Sequence, residues 1–504
     1  MTAPSRFAAA LRITLISAAI TAVPGLAHAD WRKAETRHFV VYSNGFERDL
    51  RDYAIELERI DQLLRTWFAL PEQQDERRLP VYIVRNRTDL GIVAPELPER
   101  IAGFYSANFR DIRAVAVRAE GDETLRHEYG HHFMFRNFPG AYPAWFREGF
   151  AEFFSTATVS PAGRAAVGKT PFNSVRVLNN LRWLPMEAVL GGPPNLQDGR
   201  ETAAFYAQSW LLTHWTLTDP DRRGRMEKYL ADTARGVAID TALRTHFDMD
   251  AEQLGRTLRA YLDAGPRYAE LELGAASPAL TTSALPDSAN EVLLLDINAR
   301  DGGPANQGPA VLDRARQAAE RHPGDLLAQS MVARAELRWG DPAKAEQAVQ
   351  PLLDADPTNV DLLLLMADAR ITAGDKLTDP EARERLYRQA RGFLARAYEA
   401  DPLEHRVYQS IAYSRRFTPD YPTANDVELW RRAVAIAPEV ASNRAVTAEA
   451  MLNHGLVDEA EQVIQPIAND PHGRETPARI QRILTRIAEA RAGAATSAPA
   501  GPAD

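Results

Sequence analysis

The stretch T-L-R-H-E-Y-G-H-H-F-M-F-R-N-F, Thr124 to Phe138, encloses H-E-Y-G-H at residues 127–131. Leu125, Tyr129, Phe133 and Met134 recur at the spacing of an amphipathic helix. On that helix His127 and His131 lie four residues apart, so their imidazoles sit one turn above the other on one face. Two neutral imidazoles so placed can hold one tetrahedral Zn²⁺ at about 2.0–2.1 Å each. Glu128 follows the first histidine, which puts its carboxylate beside such a metal, where it can take a proton from a polarised water. With eleven histidines in the chain, a chance match is a real risk. The competing reading is a surface helix with three histidines and no metal, and the rest of the sequence has to decide.

At 504 residues the chain exceeds one ordinary core, and two to four domains are expected. A formal net charge of −9 argues against a nucleic-acid surface, which needs a basic footprint. There is no cysteine, which removes disulfides, thiolate metal sites and cysteine nucleophiles together. Histidine and carboxylate are left as metal ligands.

Residues 1–29 read as a signal peptide. Arg6 and Arg12 open it, Ile13 to Val23 is mostly apolar, and Pro24-Gly25 precede Ala27-His28-Ala29, an A-x-A cleavage signal. The apolar run is shorter than the roughly twenty residues of a membrane span. The mature chain, cut after Ala29, is expected to be periplasmic or secreted, with no membrane span.

From Asp30 to about Val117 strand and helix alternate. Short β-rich runs occupy His38–Ser43, Leu79–Val84 and Ile112–Val117, and a long amphipathic helix spans Phe46–Phe68. Trp145–Phe154 reads as a second helix after the histidine helix. Ala203–Leu217, Arg222–Arg235, Ile239–Phe247 and Ala251–Leu262 read as further helices. Residues 266–308, rich in Pro, Gly, Ser and Ala, read as a linker.

The C-terminal third repeats. Leu326–Asn359 spans 34 residues, with Ala333, Gly340, Ala345 and Pro357 at tetratricopeptide positions. Pro323, Pro357, Pro402, Pro438 and Pro471 step along the chain at a similar period, and the one long step holds Asp375–Glu384, a charged insertion expected to bulge from a turn. Residues 309–490 are thus expected to stack as helical repeats, whose concave surface commonly binds peptides. Residues 491–504, rich in Ala, Pro and Gly, read as a disordered tail.

A catalytic zinc needs a third protein ligand and an open fourth position. Glu148 stands seventeen residues beyond His131, in R-E-G-F-A-E, on a helix that can return antiparallel to the first. Glu152, one turn further on the same face, can accept the outward N–H of a ligand histidine and fix its tautomer. Together the H-E-Y-G-H helix, the P-A-W-F-R-E-G-F-A-E-F-F helix and a later tyrosine resemble the gluzincin metallopeptidases, closest to the peptidase MA-like domains and more distantly to the aminopeptidase N family. The resemblance covers roughly residues 30–265. It implies a zincin-like α+β domain, made of a small mixed sheet, a metal helix and a helical lower half. It also implies Glu148 as third zinc ligand and Tyr206 as donor to the tetrahedral oxyanion. The G-x-M-E-N sequence with which aminopeptidases hold a free amine is absent, so exopeptidase action has no support.

The expectation is an exported zinc metallopeptidase with an all-α tetratricopeptide-like solenoid behind it. His127, His131 and Glu148 hold Zn²⁺, Glu128 is general base, Tyr206 steadies the oxyanion and Glu152 orients a ligand. Ile112–Val117 is expected as the edge strand along which an extended peptide pairs. The repeats are expected to dock substrate or a protein partner. His132, about 100° round the helix from His131, is expected off the metal, and His214 in the core or at the surface. The alternative is a non-catalytic periplasmic scaffold with a relic peptidase domain. A purely structural zinc is disfavoured, because it leaves Glu128 without a task and shows no fourth protein ligand.

Overall fold

A computed structural model describes residues 31–71, 77–98, 101–118, 122–138, 140–192, 198–275, 277–301, 307–468 and 477–497. The signal peptide read at 1–29 lies outside the described residues, as do Pro139, Pro193, Pro194 and Pro471. β1 (Arg32–Glu35) and β2 (Phe39–Ser43) lead through α1 (Glu47–Trp67) to β3 (Leu79–Val84) and α2 (Arg87–Val93). β4 (Gly103–Ala107) and β5 (Ile112–Val117) form a hairpin, followed by α3 (Asp122–Asn137) and α4 (Ala144–Ser155). Then come β6 (Thr158–Val159), β7 (Arg164–Val167), α5 (Phe172–Asn180), α6 (Met186–Gly191), α7 (Gly199–Leu217), α8 (Pro220–Ala234), α9 (Ile239–Phe247) and α10 (Ala251–Asp263). β8 (Ala269–Glu272) and β9 (Thr281–Ala284) are the last strands.

The six-stranded sheet has the order β4-β5-β3-β2-β1-β9. β2, β3 and β5 are mutually parallel, and the flanking pairs are antiparallel. Alternation along the strands sends Phe39, Val41, Val81, Ile83 and Ala114 to one face. There they meet Leu50, Leu57, Ile60 and Leu64 of α1 and Leu125, Tyr129 and Phe133 of α3. Tyr82, Val84, Val115 and Val117 point the other way. Both faces are covered, so β3 and β5 run almost wholly apolar. β6, β7 and β8 make a second, three-stranded sheet.

The described residues that follow are helical: α11 (Ala289–Asp301), α12 (Gly308–Arg321), α13 (Leu326–Trp339), α14 (Pro342–Ala355), α15 (Val360–Asp375), α16 (Pro380–Ala400), α17 (His405–Tyr413), α18 (Ala424–Ile436), α19 (Ala441–Asn453), α20 (Val457–Ala468) and α21 (Pro477–Ser497). Side chains of Asp325, Asp341, Asn359 and Asp379 cap α13 to α16 by accepting first-turn N–H groups, and Pro342 and Pro380 follow two of those caps. Successive helices pair, and α11, α13, α15 and α17 stack side by side. Small residues such as Ala333, Ala345, Ala367, Ala390 and Ala397 are fully buried where these helices meet. Among the described residues no helix is long and apolar enough to cross a membrane.

Several expectations need correction. Residues 266–308 are not a linker: β8 completes the small sheet, β9 forms an edge of the large one, and α11 opens the helical array. β8 and β9 are four residues long and mostly solvent-facing, so they carry no apolar pattern to read. The sheet unit accordingly ends near Ala284 and not at 265. Ala289, Leu293 and Ile297 of α11 pack on Tyr82, Val84, Val115 and Val117, so the array begins as the second cover of the sheet. Ile112–Val117 is interior, flanked by β4 and β3; the edge strand on this side is β4. The charged insertion lengthens α16 to 21 residues, because Asp379 and Pro380 start a helix whose following residues are good helix formers. Residues 491–497, read as part of a disordered tail, belong to α21.

The array also grips the sheet unit. Ala437 and Val440, between α18 and α19, belong to the same buried cluster as α1, α3 and α4. The Phe109 carbonyl accepts from Gln409, and Arg77 bonds His405 at 2.8 Å. The Arg147 guanidinium donates to the Pro466 carbonyl. The repeat surface expected to dock a partner is therefore partly filled by the chain's own β4–β5 loop.

Candidate metal centre

Helix α3 buries Leu125, Tyr129, Phe133 and Met134 in the core. That turns His127, Glu128 and His131 toward α4 and β4. Two glycines let the helices close. A Cβ on Gly130 would stand 3.1 Å from the Ala151 Cα of α4, and one on Gly149 would stand 2.1 Å from the Thr213 Oγ1 of α7. α4 is thus wedged between α3 and α7, with backbone against backbone at both crossings. Glu148, beside Gly149, is carried to the histidines and is only 1 % exposed.

His127 Nε2 and His131 Nε2 are 3.1 Å apart, and each lies 3.6 Å from Glu148 Oε2. For a tetrahedral ion with ligand distances near 2.05 Å, neighbouring donor atoms should be about 3.3 Å apart. The three spacings straddle that value. The donor set, two imidazoles and one carboxylate, suits Zn²⁺, and the residues present fit the ion.

Around these donors, Glu152 Oε1 lies 3.5 Å from His127 Nδ1, on the side of the ring away from Glu148. Glu128 Oε2 accepts the Tyr105 N–H of β4 at 2.8 Å. The Tyr206 ring stacks on His127, with centroids 6.3 Å apart and planes at 27°. Burial and the adjacent Glu148 push the Tyr206 phenol well above its ordinary value, so it stays a hydrogen-bond donor. Burial pulls His127 down, but the Glu148 hydrogen bond and the charges of Glu152 and Glu128 outweigh it and raise the imidazole to about 9. Burial, offset in part by His127 and reinforced by Glu148, raises Glu152. Three glutamates thus gather around two histidines.

His132 points away from this centre: its Nδ1 meets the Tyr105 hydroxyl at 3.1 Å, and burial lowers its pKa. His214 bonds the Tyr261 hydroxyl and the Gly168 carbonyl at 2.9 and 2.8 Å, between α7, α10 and the loop after β7. Neither reaches the donors. Tyr105 is the residue that sequence reasoning missed. G-F-Y-S-A carries no strong strand signal, and its tie to Glu128 depends on a fold contact 23 residues away.

A second group, His38, Glu58 and Asp61, also converges within 4.8 Å. The atoms that face one another are already engaged. His38 Nδ1 bonds Glu58 at 2.8 Å, and Asp61 accepts from Arg65 at 2.7 Å and Tyr129 at 2.5 Å. That is a closed ion-pair network beneath α3.

No protein-family model and no curated protein matches the chain. Solved helical repeat proteins are structural neighbours. A thermophilic TPR protein of Thermus thermophilus is 18% identical and covers 41% of this chain and 99% of its own, with a TM-score of 0.33. MamA is 10% identical over 38% of this chain and 92% of its own, with a TM-score of 0.25. The MamA RS-1 ArsTM double mutant is 13% identical over 42% and 100%, with a TM-score of 0.26.

Proposed function

We propose that this chain is an exported zinc-dependent peptidase of the gluzincin type, with a zincin-like sheet unit and tetratricopeptide-like repeats. The observation that carries the reading is the convergence of His127, His131 and Glu148 at tetrahedral ligand spacing, with Glu128 alongside. His127, His131 and Glu148 would hold zinc, which supplies a Lewis acid that polarises a peptide carbonyl and acidifies water. Glu128 takes a proton from the attacking water and passes it to the leaving amine. Tyr206 donates to the oxygen on which negative charge develops. Glu152 accepts from His127 Nδ1 and fixes that ring with Nε2 turned inward.

The substrate's path is supported by β4. Ladder bonds from the Val117 N–H to the Ala102 carbonyl and from the Asn108 N–H to the Asp111 carbonyl set the hydrogen-bond phase of the hairpin. Main-chain groups of Gly103, Tyr105 and Ala107 therefore point outward, where an extended peptide can pair with them. The Tyr105 N–H, which bonds Glu128, can turn to the peptide when it arrives.

The test is purification of the full-length protein, metal analysis, and digestion of an unstructured protein by wild type and Glu128→Gln. Zinc in both, with cleavage reduced at least about 100-fold in the variant, is the expected result. Absence of zinc, or equal cleavage, would sink the reading. The second reading is a scaffold in which the repeats act alone; the extended helical array α11–α21 favours it, and a zinc-free, inactive wild type would select it.

A further inference from the structure

Away from the metal centre, α11, α13, α15 and α17 and the β4–β5 loop enclose a pocket of about 440 Å³. That volume is in the range of small-ligand sites. Much of the wall is apolar: Phe109, Leu337, Leu364, Leu365, Ile371 and Tyr413 line it. Its inner arginines each have a carboxylate partner within the chain. Arg334 and Arg300 donate to Asp296 at 2.6 and 3.0 Å, and Arg406 donates to Asp361 at 2.9 Å.

Two acceptors on the wall are not matched. Asp368, half-buried, has no hydrogen bond or ion pair among the described residues. Gln409, with no exposed surface, commits its Nε2 to the Phe109 carbonyl and leaves Oε1 without a partner. Arg110, Arg406 and Arg334 act on Asp368 through space, but none of them hydrogen-bonds it; Arg334 is turned to Asp296, and Arg406 to Asp361 and Glu404. Arg110, at the rim, is exposed and so solvated. Asp368 and Gln409 Oε1 thus receive no donor from the chain, and a buried acceptor left unpaired is costly.

We propose that this pocket binds a primary ammonium carried on an apolar chain, with Asp368 as its counter-ion and Gln409 Oε1 as a second acceptor. An anion is disfavoured, since it would meet two acceptors, the Asp368 carboxylate and Gln409 Oε1, that cannot donate to it. A free peptide N-terminus followed by an apolar residue, or a lysine side chain flanked by apolar residues, supplies this chemistry. The inference is independent of the metal centre.

The test is calorimetric titration of the full-length protein in excess chelator with three probes: leucyl-leucinamide with a free amino terminus, N-acetyl-leucyl-lysyl-leucinamide, and N-acetyl-leucyl-norleucyl-leucinamide. At least one ammonium-bearing probe should bind saturably and the norleucine probe should not; which of the two binds identifies the source. Asp368→Asn should weaken binding by about 10- to 100-fold, the range for a hydrogen bond to a charged group. Thr372→Trp, which fills the pocket from its wall without changing charge, should abolish it, with circular dichroism reporting the fold of both variants. Failure of both ammonium probes at millimolar concentration, equal binding of the norleucine probe, or undiminished binding to a folded variant overturns the proposal.

Discussion

Zinc removal should lower the melting temperature by an amount that also measures how the two halves of the molecule are joined. The donors stand at ligand spacing, so loading reorganises little, and the unfolded chain has no comparable site. At free zinc 1,000-fold above its dissociation constant, binding adds about 4 kcal/mol to stability. Unfolding entropy near 60 °C is about 2.1 cal/mol/K per residue. Ala437 and Val440 share a buried cluster with α1, α3 and α4, and Pro466 caps the Arg147 guanidinium, so the sheet unit and the repeats should melt together. Over roughly 450 residues the entropy is about 0.9 kcal/mol/K, which makes the shift about 4 °C. Were the sheet unit to melt alone, roughly 250 residues would give about 8 °C, in a separate transition. Differential scanning calorimetry of zinc-loaded and chelated protein reads both quantities, and His131→Gln should remove the dependence on zinc. An unchanged midpoint, or a shift that survives His131→Gln, refutes the metal assignment. A zinc-dependent first transition separate from a zinc-independent second one refutes the shared core.

Two further outcomes follow from contacts around the site. Gly149→Ala places a methyl 2.1 Å from Thr213 Oγ1 and 2.4 Å from the Ser209 carbonyl, and the second of these is backbone. Overpacking there should cost about 1–3 kcal/mol in urea unfolding and, by moving Glu148, weaken zinc at least tenfold in a competition titration; unchanged affinity would show that α7 does not position the ligand. His214 gives the pH dependence. Burial, only partly offset by the Gly168 carbonyl, lowers its pKa from 6.5 to about 4. Between those values the unfolded chain binds a proton that the native one refuses, so stability falls as pH drops from 6.5 toward 4. The full effect, reached near pH 4, is about 3 kcal/mol from this residue, with no cost above pH 7. Histidine resonances followed by NMR should show His214 unprotonated at pH 5, and titration near 6.5 would contradict its burial.

Elements with a strong local period could be read from sequence, and those defined by distant partners could not. α1, α9 and α10 were legible because burial is written into their 3.6-residue repeat, and β3 and β5 because each is a short, nearly continuous apolar run. β4 and β9 are short edges whose existence depends on strands elsewhere in the chain, and α11 looked like part of a loop-rich stretch because its first partners are β3, β5 and α2. The candidate site divides the same way. His127, Glu128 and His131 are legible because one helix spaces them; Glu148 and Glu152 are legible because a second helix repeats that spacing. What holds them is not. Gly130 and Gly149 are silent in a motif search, yet only a missing Cβ at each lets α4 sit against α3 and α7. The Tyr105 N–H that fixes Glu128 comes from a strand with no signal of its own. Arg147, next to Glu148, is tied to Pro466, 319 residues away. A motif therefore names the atoms that could do chemistry, whereas the backbone approach that sets their spacing belongs to the packing of α3, α4 and α7. The helical array, through Arg147 and the Ala437–Val440 seam, is part of that packing, so substitutions at that seam should reach the metal donors as well as the repeats.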